Sequence, residues 1–161
     1  MTSFCPRCGV ALVAPPPVRC AGCDYPVYDN ARPCAGAVVV DGDRFLAIRR
    51  RRDPGAGLWD IPGGFCDERE HPADAAAREV LEETGLPVRL GRLIGLYIDD
   101  YEFYGDTIVT LNAYYLATPT GPAEPATDDE AAEIGWLPLR EPPTLAFPHE
   151  DRVVRDAAAL L

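Results

Sequence analysis

The sequence predicts an α/β layered domain of mixed strands and helices, with a small cysteine-rich appendage in front of it. Three observations lead there. Apolar, β-branched runs of strand length alternate with turn signals through most of the chain. Two segments carry helix punctuation, one between strands and one after them. Four of the six cysteines stand in two tight pairs ahead of the first long strand. With 161 residues, 47% of them hydrophobic and 25% charged, the chain can bury one ordinary core.

Taken in order, Cys5-Pro6-Arg7-Cys8 and Cys20-Ala21-Gly22-Cys23 each hold two residues inside the pair, with eleven between the pairs. Four thiolates so spaced suit one tetrahedral Zn2+, and Gly9 and Gly22 would ease the tight turns. The pattern is that of a zinc ribbon over residues 1–31, with the larger domain in 32–161. Sulfur fills every position of such a site, so its metal is assigned to folding. Next, 34–41 and 44–50 are apolar runs separated by Asp41-Gly42-Asp43, a hairpin signal. Strands follow at 88–98, 107–118 and 133–137. A helix is expected over about 72–84, begun by Pro72 and stopped by Gly85, and another over about 150–161. Segments 119–129 and 141–148, rich in Pro, Gly and acids, read as loops.

The excess of acids, 26 against 15 Lys and Arg for a net charge of -11, repels polyanions, so nucleic acid is not the expected partner. A divalent cation held by carboxylates would still admit a small phosphorylated ligand. No segment matches a leader peptide or a bilayer span, which leads to the expectation of a cytoplasmic protein without membrane contact.

The first helix carries the strongest chemical signal. Ala73, Ala76, Ala77, Val80, Leu81 and Thr84 make an apolar side, and Glu79, Glu82 and Glu83 share an arc opposite it. Like charges at i and i+4, and acids in the last turn of a helix, each cost a few tenths of a kcal/mol or more. No lysine on the helix relieves them. A divalent cation would, and hard carboxylate ligands suit Mg2+ or Mn2+. Ahead of the helix, Gly63-Gly64 marks a place where backbone approaches something closely. The combined run is Gly64, five residues, Glu70, seven residues, Arg78-Glu79-Val80, one residue, Glu82-Glu83, one residue, Gly85-Leu86.

That run resembles the Nudix box of the Nudix hydrolase family at its defining positions. The resemblance implies an α/β/α sandwich around a mixed sheet, with the box as loop, helix and loop. It implies that Glu79, Glu82 and Glu83 bind Mg2+, aided by the Gly64 carbonyl, and that Glu70 and Arg78 brace the box as an ion pair. The implied reaction is attack of water on a nucleoside diphosphate linked to another group X. Two carboxylates are candidates for its general base: Glu79, or Glu130 from the loop before Trp136.

Other residues are open to two readings. Within the basic block 49–52, Arg49 and Arg51 either contact substrate phosphates or balance nearby acids. Tyr97 and Tyr104, with Tyr101 and Phe103, either stack on a base or fill core and interface. His71 and His149 read as ordinary surface groups, and Cys34 and Cys66 as small buried ones. A ribbon ahead of a Nudix box is similar to NADH pyrophosphatase-like members, but their Ser-Gln-Pro-Trp-Pro-Phe-Pro motif is absent. The compact form resembles ADP-ribose pyrophosphatase-like members, and a small nucleotide-derived substrate, ADP-ribose or a related sugar nucleotide, is expected. NAD(H), an oxidised nucleoside triphosphate, or a ligand-sensing role without turnover are the alternatives. The ribbon is also a candidate contact for a homodimer.

Overall fold

The computed structural model describes residues 3–121 and 131–161. In the appendage, β1 (Val18–Arg19) pairs antiparallel with β2 (Pro26–Val27). Beyond it, β3 (Arg32–Asp41) turns into β4 (Arg44–Arg50) through Gly42, whose φ of 64° lies in the left-handed region that glycine enters without a Cβ clash. Two short strands follow, β5 (Trp59–Asp60) and β6 (Gly63–Phe65). The chain continues through α1 (Pro72–Thr84), β7 (Val88–Phe103), β8 (Asp106–Pro119), β9 (Ala131–Pro138) and α2 (Glu150–Ala159).

Among the described residues, β3 to β9 form one sheet with the path β5-β4-β3-β8-β7, to which β6 adds on β3 and β9 on β4. The sheet is mixed: Arg32 to Val39 of β3 run parallel to Thr110 to Ala117 of β8, and the remaining pairings are antiparallel. A parallel pair needs a long crossover, and α1 lies on it.

Successive side chains of a strand point to opposite faces, and here both faces are covered. Ala37 and Val39 of β3, with Leu46, pack on Ala75, Ala76 and Val80 of α1. Val38, with Phe45 and Ala47, packs on Val153, Val154 and Ala157 of α2. The result is an α/β/α sandwich. Each fully buried side chain of valine size or larger contributes about 1.5–3 kcal/mol of transfer free energy, so the helices clamp β3 and β4 from both sides.

The expected elements are present, with differences that have physical causes. β7 and β8 run on to a hairpin tip at Tyr104-Gly105, with Tyr104 at φ 51° and Gly105 at φ 86°. Strands β5 and β6 were not expected, because two or three residues around Pro62 carry no alternation to read.

Helix α1 is also turned from its expected setting. Its buried side comprises Ala75, Ala76, Val80, Glu83 and Thr84, whereas Leu81 is 49% exposed. The backbone of β6 supplies a hydrogen bond that lets Glu83 enter the buried sector, as described below. His71 is the N-cap of this helix, its Nδ1 accepting the Ala73 N–H at 3.1 Å. At the other end Gly85, φ 68°, donates its N–H to the Leu81 carbonyl at 2.8 Å. No helix among the described residues is long and apolar enough to cross a membrane.

Candidate active site

The two cysteine pairs sit on matching loops. The Cys5 N–H reaches Val10 O and the Gly9 N–H reaches Cys5 O, at 2.8 and 2.9 Å; the Cys20 N–H reaches Tyr25 O and the Asp24 N–H reaches Cys20 O, at 2.9 and 2.8 Å. Gly9 has a left-handed φ of 73°, but in the second loop Asp24, at 57°, takes that role in place of Gly22. Gly22 is small for another reason: a Cβ there would come within 3.0 Å of Val10 Cγ2. The four sulfurs lie within 4.8 Å of one another, with Cys5 to Cys23 at 3.7 Å and Cys8 to Cys20 at 3.5 Å. A tetrahedral ion with metal–sulfur bonds of about 2.3 Å sets sulfurs roughly 3.8 Å apart, so these four could hold one metal.

The larger domain contains a cavity of about 510 Å³, a volume typical of small-molecule sites. Helix α1 and β6 make its first wall. Glu83, 5% exposed, accepts the Gly63 N–H on Oε2 at 2.9 Å. Glu79 packs on Gly64 so closely that a Cβ there would lie 2.6 Å from Glu79 Oε1. Glu82 stands further out, its side chain 57% exposed.

Arg78 ties this wall together. Its Nε and Nη2 donate to the two oxygens of Glu70 at 2.8 Å each, while Nη1 donates to Glu79 Oε1 at 2.8 Å and Glu82 Oε2 at 2.9 Å. The Arg78 guanidinium, with help from the Asp67 N–H, lowers the Glu70 carboxyl to about 2. The carboxylates raise Arg78 in return, Glu70 most of all. Arg78 thereby supplies compensation that the helix lacks when lysines alone are counted. Glu130 lies outside the described residues.

A second wall comes from Arg50 of β4, Asp60 of β5 and Phe147 ahead of α2. Arg50 bonds Asp60 and the Pro54 carbonyl and lies over the Phe147 ring at 5.0 Å. Fully buried Glu150 accepts the Ile61 N–H at 2.8 Å and the Phe147 N–H at 3.1 Å. Burial, reinforced by the neighbouring Asp60, holds its carboxyl well above the usual range. A third wall belongs to the far half of the β7–β8 hairpin and to His149. Here Tyr101 and Phe103 meet Phe65 edge-on, with centroids 5.9 and 5.8 Å away.

Several sequence-selected residues lie away from the cavity wall. Arg49 and Arg51 flank Arg50 at the end of β4, where the pairing with β9 is irregular, and both are held elsewhere: Arg49 bonds Glu133 and the Gly57 carbonyl, and Arg51 bonds the Ala131 carbonyl. Tyr97 is core, 4% exposed, its hydroxyl given to Asp156 at 2.7 Å. Tyr104 is 96% exposed at the hairpin tip. Their cavity counterparts are Arg50, Tyr101 and Phe103. His149, expected at the surface, is buried between Asp99 and Tyr114. Cys34 and Cys66 are half-buried rather than buried; Cys34 borders the cavity with its thiol pushed up to about 12 by burial.

A family model of the NUDIX domain matches residues 30–157. The chain belongs to the Nudix hydrolase family. Among Nudix relatives, an ADP-ribose pyrophosphatase of Methanocaldococcus jannaschii is 33% identical over 126 residues, covering 74% of this chain and 72% of that protein. A MutT-like protein of Streptomyces ambofaciens is 38% identical over 103 residues, covering 64% of this chain and 60% of that one. In three dimensions, a NUDIX hydrolase from Nitrosomonas europaea superposes over 98% of this chain and 93% of its own, with a TM-score of 0.76 at 23% identity, a likeness of fold.

Proposed function

We propose that this Nudix hydrolase cleaves the phosphoanhydride bond of a nucleoside diphosphate linked to a second group, with ADP-ribose or a related nucleoside diphosphate sugar as its substrate. The observation that carries the reading is that Glu79, Glu82 and Glu83 all line one wall of a cavity large enough for such a ligand, with Glu79 packed on Gly64. Their fit to Mg2+ or Mn2+ rests on donor type, since these are hard oxygens. It rests also on the Arg78 nitrogen seated between Glu79 and Glu82, which marks a place for positive charge. When bound there, the metal supplies charge neutralisation for the diphosphate and acidifies water.

The remaining work falls to side chains. Gly64 fixes Glu79 by leaving it room, the Gly63 N–H orients Glu83, and Glu70 fixes Arg78 through a bidentate pair. Glu79 or Glu130 takes the proton from the attacking water. Arg50, anchored by Asp60, faces the cavity where Arg49 and Arg51 do not, and is the candidate phosphate contact. Tyr101 and Phe103 offer faces for a base. The four cysteines hold a structural Zn2+. ADP-ribose is favoured by the 33% identical relative named for that activity.

The test is turnover of ADP-ribose, NADH and 8-oxo-dGTP by the purified protein with Mg2+ or Mn2+, alongside Glu83→Gln. Glutamine keeps an acceptor for the Gly63 N–H, so the fold should hold while kcat/KM drops at least about 100-fold. Wild-type inertness toward all three substrates, or full activity of E83Q, would overturn the reading.

A further inference from the structure

We infer that the end of the cavity formed by β7, β8 and α2 reads two neighbouring hydroxyls of a sugar, with Asp99 accepting from them and His149 and Tyr114 holding Asp99 in place. The inference rests on the hydrolase reading above and adds which part of the substrate is recognised.

The argument begins with the direction of the hydrogen bonds. His149 Nδ1 lies 2.6 Å from Asp99 Oδ2, and Nε2 lies 3.0 Å from the Tyr114 hydroxyl. A carboxylate accepts, so Nδ1 carries a proton, and in the neutral imidazole the lone pair of Nε2 then receives the Tyr114 O–H. Tyr114 is buried, and burial lifts its hydroxyl well above the usual tyrosine range, so it keeps the proton it donates. The chain runs one way, from Tyr114 through His149 to Asp99.

The acceptors left over face the ligand. Asp99 Oδ1 takes the Asp100 N–H at 2.9 Å. A carboxylate has about four lone-pair sites, so one remains on each oxygen, and the Asp99 side chain is 20% exposed at the cavity. Beside it, Asn112 spends its Nδ2 hydrogens on Tyr97 O at 3.3 Å and Thr110 Oγ1 at 2.9 Å. Thr110 in turn spends its hydroxyl hydrogen on Asp99 O at 3.2 Å. With their hydrogens committed inward, these side chains offer the ligand acceptors.

A phosphate, which is anionic and brings oxygen acceptors, is repelled from such a surface. A neutral group with two adjacent donors satisfies both Asp99 oxygens, and a sugar diol is that group. The buried polar chain would be a costly way merely to fasten α2, because each member left unpaired would cost about 1–3 kcal/mol.

The test is calorimetric titration with Ca2+ in place of Mg2+, a cation that also takes oxygen ligands. Three ligands are compared: ADP-ribose, its analogue lacking the 2-hydroxyl of the terminal sugar, and its analogue lacking the 2′-hydroxyl of the adenosine ribose. Wild type should bind one analogue about 10- to 100-fold more weakly than ADP-ribose, which also tells which sugar is read. Asp99→Asn should shrink that ratio to less than about threefold, and Tyr114→Phe should shrink it part-way, with thermal unfolding checking that both variants fold. A purely structural role would leave the ratio unchanged. The inference is overturned if both analogues bind wild type within about threefold of ADP-ribose, if Asp99→Asn weakens all three alike, or if ADP-ribose does not bind. Absence of hydrolysis with the binding ratios intact would remove the hydrolase reading alone.

Discussion

Replacing Gly64 with alanine separates the position of a carboxylate from the integrity of the fold. The added Cβ would lie 2.6 Å from Glu79 Oε1, 2.7 Å from Cδ and 2.8 Å from Oε2, so the carboxylate must retreat by about 0.8 Å to reach ordinary contact at 3.4 Å. Gly64 has no left-handed φ, so alanine adds no backbone strain, and the atoms that move end a flexible side chain. The stability cost is then at the low end of overpacking, about 1 kcal/mol, or roughly 2–4 °C in Tm. A displacement approaching 1 Å in a catalytic constellation costs about 100-fold in rate. Gly63→Ala is the contrasting variant, because its Cβ would meet Ala35 O and Gly36 Cα at 2.7 Å. Those are backbone atoms of β3 that cannot turn aside, and roughly 3 kcal/mol with a Tm loss of about 6–12 °C is expected. Circular dichroism melts and Mg2+-dependent ADP-ribose hydrolysis measure both quantities. Wild-type kcat/KM in G64A, or equal Tm losses in the two variants, would refute the reasoning.

Acid should release the Glu70–Arg78 pair late. The folded Glu70 carboxyl lies near 2 against an ordinary 4.5, so its contribution is present above about pH 4.5 and is lost as pH falls through about 2. The urea midpoint of wild type relative to Glu70→Gln should therefore be flat above pH 5 and shrink below it; a flat difference down to pH 2 would disprove the pairing. Glu150 should behave in the opposite sense. Its folded carboxyl is raised above 4.5 by burial, so its contribution is full below that value and is lost as pH rises. Wild-type stability relative to Glu150→Gln should fall as pH rises above about 5, and a constant difference would refute the assignment. Metal analysis should find one zinc per chain and none in Cys20→Ser, whose sulfur sits in the small core shared by Cys5 and Val27; a zinc-free wild type that takes up none would exclude the ribbon metal.

Local patterns were legible in the chain and distant ones were not. The carboxylate wall could be read because Glu79, Glu82 and Glu83 share one helix and Gly64 precedes it, all within a short window. The setting of α1 could not, since it depends on the Gly63 N–H reaching Glu83 from β6. On β4, residues Phe45 to Ile48 are buried on both faces, which erases the alternation that would have singled out Arg50 from its neighbours. His149 gave no signal because its partners, Asp99 and Tyr114, are 50 and 35 residues away. Tyr97 and Tyr101 have the same composition and strand context, and only the sheet's packing decides which one is core.

The β7–β8 hairpin outruns its support. β3 accompanies β8 only from Thr110 to Ala117, whereas the hairpin ladder continues through Asp100–Val109 to Phe103–Asp106. The cavity is therefore assembled from a fixed jaw, locked into the centre of the sandwich, and a cantilevered one. Only the tip beyond Phe103, where Tyr104 is 96% exposed, is clear of the fixed jaw, because Tyr101 and Phe103 rest on Phe65 beside Gly64. What the cavity grips therefore changes through the inward-facing arm, Asp99 to Phe103, whereas the tip itself is free to vary in length and sequence.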